Sequence, residues 1–78
     1  MATNESQQFP FFLQAAMEQA GKLEALDTSE ARSLARTMRV YEETFRKWNV
    51  SGRPNDAQMV ISDFLTASRR VMDYLSKV

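Results

Sequence analysis

The chain has 78 residues, with ten basic and ten acidic side chains, no histidine, no cysteine, two glycines and two prolines. That length supports one domain around one small core. Zero formal charge argues against a general nucleic-acid binder, which carries a basic excess. The missing His and Cys exclude disulfide frameworks, zinc sites, thiol nucleophiles and imidazole acid–base chemistry.

Residues 1–8 are polar and read as a flexible lead-in, with 9–78 forming the single helical domain. The lead-in lacks the basic start and apolar run of a secretory signal. No apolar run approaches the ~20 residues of a membrane span. With neither feature, the expected location is the cytoplasm, and the absence of cysteine fits that compartment.

Phe9-Pro10 marks a helix start, because proline is tolerated in the first turn. Phe9, Phe12, Leu13, Ala16, Met17, Ala20 and Leu23 then recur at intervals of three and four. That spacing makes one apolar face over a first helix at about 10–26. Gly21 weakens it, at ~1 kcal/mol relative to alanine.

Asp27-Thr28-Ser29-Glu30 has the spacing of a capping box and opens a second helix over 28–49. Ala31, Leu34, Met38, Tyr41, Phe45 and Trp48 alternate steps of three and four, the seam of nearly antiparallel packing. Gly52 and Pro54 break the chain. Asn55 then reads as the N-cap of a third helix over 56–77, with Ile61, Phe64, Ser68, Val71 and Leu75 as its stripe and Val60, Leu65 and Met72 widening it.

Short connections make successive helices antiparallel, so the expected fold is all-α: an up-down-up three-helix bundle with a long hairpin of the second and third helices. A symmetric first hairpin sets Met17 against Met38, Leu13 against Tyr41 and Phe9 against Phe45. The second sets Tyr41 against Ile61, Met38 against Phe64 and Leu65, and Ala31 against Met72.

At ~1.5 Å per residue the first helix is the shortest, and the shortfall lies at the end holding Phe45, Trp48 and Met59. The aromatic cluster there either plugs the bundle or leaves rings exposed for docking. Phe11 cannot share the core face with Phe9 and Phe12. Phe11, Trp48 and Met59 are therefore the candidate apolar anchors of a partner-binding patch.

Arg32, Arg36 and Arg39 form a basic row on the second helix, the candidate polar selector for an acidic partner. The competing explanation is pairing between helices, since the symmetric register sets Glu18 opposite Arg36 and Glu24 near Arg32. Residues 1–27 hold four acidic groups against one basic, and 28–50 hold five basic against three acidic. The first two helices are thus complementary in sign.

No phosphate loop, nucleophile elbow, metal signature or convergent carboxylate pair is present, so no enzyme, cofactor or metal is expected. The third helix balances three basic residues with three acidic ones, unlike a DNA-recognition helix. The reading that remains is a non-enzymatic helical protein binding another protein as adaptor, inhibitor or regulatory subunit. The alternative is a homo-oligomer in which hairpins of the second and third helices build a four-helix core, with the first helix outside.

Overall fold

A computed structural model describes residues 3–78, with side chains described over 11–78. Three helices account for nearly all of it: α1 (Thr3–Glu24), α2 (Ser29–Ser51) and α3 (Ala57–Lys77). The fold is an all-α, up-down-up three-helix bundle, 42 Å long and 19 × 18 Å across.

The helices have 22, 23 and 21 residues, so the expected shortfall of the first is not there. α1 begins at Thr3, and 3–8, read from sequence as a flexible lead-in, continue the helix. Pro10 lies inside it. Lacking an amide hydrogen, proline removes one helical bond from the preceding turn, which is why it looked like a start.

Local chemistry sets the other ends. Thr28, not Asp27, is the N-cap of α2: its backbone is extended and its hydroxyl accepts from the Ala31 amide at 3.0 Å. The capping box is absent, since the residue three beyond Thr28 is an alanine. α2 ends at Gly52, whose φ of 96° places it in the region that favours glycine and whose amide donates to the Trp48 carbonyl at 2.9 Å. Asn55 does not cap α3. That position falls to Asp56, which makes no side-chain cap, and a turn from Pro54 carries the chain into the helix.

α1 packs most closely on α2. Ala16 and Ala20 on one helix and Ala31 and Ala35 on the other are buried, and side chains this small let the two backbones approach. α3 docks on this pair through larger groups. The three helices meet where Phe45 lies 5.7 Å from the Phe12 ring, 5.0 Å from Phe64 and 5.3 Å from Trp48. Phe64 and Trp48 meet Phe45 edge-to-face, and aromatic pairs of that geometry add ~0.5–1.5 kcal/mol to the burial itself.

The register differs from the symmetric hairpin by about one turn. Phe45 lies against Phe12, where Phe9 was expected; Phe9 lies outside the residues with described side chains. Tyr41 meets Phe64 rather than Ile61. Met72, expected opposite Ala31, is exposed, and the start of α2 is tied to α3 instead by a 2.6 Å hydrogen bond between the Thr28 and Tyr74 hydroxyls. Leu65 and Met17, expected inside, are exposed as well. Loop length limits which residues can face each other; the fit of Phe45 between Phe12 and Phe64 selects among them.

The two glycines predict opposite responses. A methyl group at Gly21 meets open space within a helix, so Gly21→Ala should raise stability by ~0.5–1 kcal/mol. Gly52→Ala forces a side chain onto positive φ and should lower stability by about 1 kcal/mol. Thermal melts of the two variants check the signs; equal shifts would contradict the assignment of Gly52 as the required terminator.

Candidate functional site

The arginine row divides. Arg39 donates to both oxygens of Glu24 across the α1–α2 seam, at 2.6 and 2.8 Å, and to Glu42 at 2.7 Å. Glu42 also accepts from Arg46 at 2.6 Å. These four residues form one charged network, and three of the five Arg39 N–H donors are taken up within it. Arg32 makes a long 3.8 Å contact with Asp27 between two exposed side chains, an arrangement of little energetic weight. Arg36 is exposed and makes no ion pair among the described residues. The pairing of Glu18 with Arg36 set by the symmetric register does not form; the cross-helix acceptor is Glu24.

Hydrogen bonding from Arg39 holds the Glu24 and Glu42 carboxyls below the usual carboxylate range, with Arg46 adding to the effect at Glu42. The same bonds push the Arg39 guanidinium further above its ordinary value. Beside this network a shallow groove runs along the C-terminal half of α2, past Glu43, Lys47 and Val50. Its acids and bases neutralise one another rather than converge on a ligand.

The three apolar anchors also separate. Trp48 is only 7% exposed and packs edge-to-face on Phe45, so it belongs to the core. Met59 is 71% exposed and Phe11 is 67% exposed. They do not share a patch, because Met59 faces outward between the helix flanks that turn toward α1 and α2. Phe11 touches Phe12 at 5.8 Å and leans toward α3.

What lies beside Phe11 follows from two cross-links. Gln19 donates to the Ser68 hydroxyl at 2.8 Å, and the Phe12 and Phe64 rings are 5.8 Å apart. α1 and α3 therefore run parallel, with an offset of about fifty positions. This brings Phe11 level with Ile61 and Ala15 level with Leu65, while Lys22 stands level with Met72. Leu65 is 52% exposed and Met72 is 55% exposed. Both occur one turn from Ser68, on the flank of α3 that faces α1. Phe11, Ala15, Ile61, Leu65 and Met72 thus make one apolar strip along the α1–α3 groove.

Leu65 and Met72 were assigned to the core from sequence. The available signal was the width of the α3 stripe, wider than two neighbouring helices can cover. Gln19 gave no signal, because its partner is remote in sequence. Its amide oxygen is buried without a described partner, which leaves Ser68 as the polar contact that fixes α1 against α3. Among the described residues no cluster of three or more metal-ligating side chains occurs, and no helix is long and apolar enough to cross a membrane.

The charged network predicts acid sensitivity. A carboxyl whose folded-state pKa is depressed contributes stability that is present above its unfolded value and lost as pH falls through the folded value. Replacing Arg39 with alanine should therefore lower the melting temperature at about pH 7, and the gap to the parent protein should close toward about pH 3. Melts followed by circular dichroism check this; a gap that is the same at both pH values would contradict it.

Comparison with protein-family models, curated proteins and solved structures finds no match.

Proposed function

We propose that this chain is a small non-enzymatic binding protein, an adaptor, inhibitor or regulatory subunit, that engages another protein through its α1–α3 face. One observation carries the reading: Phe11, Leu65 and Met72 are each more than half exposed and lie on the same face. Scattered single apolar residues are ordinary on a protein surface, whereas a contiguous strip with a charged rim has the composition of an interaction site. Lys22 and Arg69 stand on that rim. Arg36, which makes no ion pair among the described residues, is exposed on α2, away from the strip.

This surface replaces the end-of-bundle patch expected from sequence, because Trp48 is buried and Arg39 is committed to Glu24 and Glu42. Phe11 is retained from that expectation, and Met59 is left as an isolated exposed side chain. A cytoplasmic setting belongs to the same proposal, and the absence of cysteine is compatible with a reducing compartment. A homo-oligomer built on a core of α2–α3 hairpins, with α1 outside, fits less well: the closest packing is between α1 and α2.

Capture experiments in cells of the chain's own host test the surface. Leu65→Glu and Met72→Glu should each reduce recovery of the bound protein by about tenfold or more. Their thermal stability should stay within ~0.5 kcal/mol, because both side chains are already exposed. Met59→Glu should leave recovery unchanged. Equal recovery by the parent and both face variants would overturn the proposal.

A further inference from the structure

The rim of the α1–α3 strip carries an ordered set of charges that do not pair with each other across the groove. At an offset of about fifty positions, Glu18 stands level with Arg69 and Lys22 stands level with Asp73. They do not meet across the groove. The Glu18 carboxylate accepts only from Gln14, at 3.1 Å, and Asp73 pairs with Lys77, at 3.4 Å. Lys22 and Arg69 make no ion pair among the described residues.

Symmetry gives these charges partners. A half turn about an axis lying in the face and parallel to the helices sets α1 of one copy over α3 of another at equal height. Glu18 then meets Arg69 of the second copy, and Lys22 meets its Asp73, twice over. Leu65 is brought above Ala15 of the second copy, whose methyl group leaves room for it. A half turn about the perpendicular in-plane axis at the level of Val71 lays each helix antiparallel on itself and also pairs the charges, Arg69 with Asp73 and Glu18 with Lys22, but it sets Leu65 against Lys77 and carries Phe11 past the end of α1. The apolar strip selects the parallel arrangement.

We propose that the occupant of the α1–α3 face is a second copy of this chain, related by a two-fold axis parallel to the helices. Leu65, Met72 and Phe11 are buried in this interface, and Glu18 pairs with Arg69 at its rim. The proposal rests on the reading of this face as a binding surface and names its partner.

Light scattering on the full chain, diluted from about 1 mM to about 1 µM, tests it. The mass should be twice 9.0 kDa at the upper end and fall toward 9.0 kDa on dilution. Leu65→Glu and Met72→Glu should remain at 9.0 kDa throughout, with circular dichroism confirming that each is folded. Glu18→Arg and Arg69→Glu should each weaken association by about tenfold, and combining the two should restore most of it. A 9.0 kDa mass at every concentration overturns the proposal, as does a dimer indifferent to both face variants or a charge exchange that fails to restore association. A monomer whose capture of another protein still depends on Leu65 removes only the second copy. Capture that ignores Leu65 and Met72 removes the binding surface itself.

Discussion

The bundle depends on the contact among Phe12, Phe45 and Phe64, the place where one side chain from each helix meets the other two. Phe45 and Phe64 are essentially without solvent contact, and removing a buried phenylalanine typically costs ~3–5 kcal/mol. In a chain of 78 residues with no cysteine, that loss is comparable to the total stability expected of a domain this small. Tyr41 and Trp48 close the cluster from the α2 side. The position of these rings fixes the register of all three helices, and the register decides which polar groups can reach each other.

The surface is divided as a result. Along α1 and α2, Glu24, Arg39, Glu42 and Arg46 use the complementary signs of the two helices to neutralise that flank. Along α1 and α3 the polar link among the described residues is Gln19 with Ser68, and Lys22 and Arg69 on that flank make no ion pair among them. The formal charge of zero therefore conceals two different faces. One is tied together by this network, and the other leaves its apolar strip exposed, with Lys22 and Arg69 making no ion pair among the described residues.

Helix number, direction and the second connection were legible because they depend on local signals: steps of three and four along each helix, Thr28 at one start, and Gly52 with Pro54 at one break. Gly52 could be placed as a terminator because its requirement is a property of its own backbone. Register was not legible to better than a turn. It is set by how Phe45 fits between two rings distant in sequence, and periodicity carries no information about that fit. The same limit explains Trp48 and Leu65. Both sit on apolar stripes, and only the neighbouring helices decide that the indole is covered and the leucine is not. The basic row was visible, but the commitment of Arg39 to Glu24 depended on the register that sequence could not supply.

The alanine seam between α1 and α2 has a consequence for how the molecule opens. Ala16, Ala20, Ala31 and Ala35 join two helices that are neighbours in sequence, so their contacts close at small entropic cost. α3 is held by fewer and larger side chains, so its local stability is the lower, and its amides should exchange with solvent before those of α1 and α2. Anything that covers the α1–α3 face therefore also restrains the helix that loosens first.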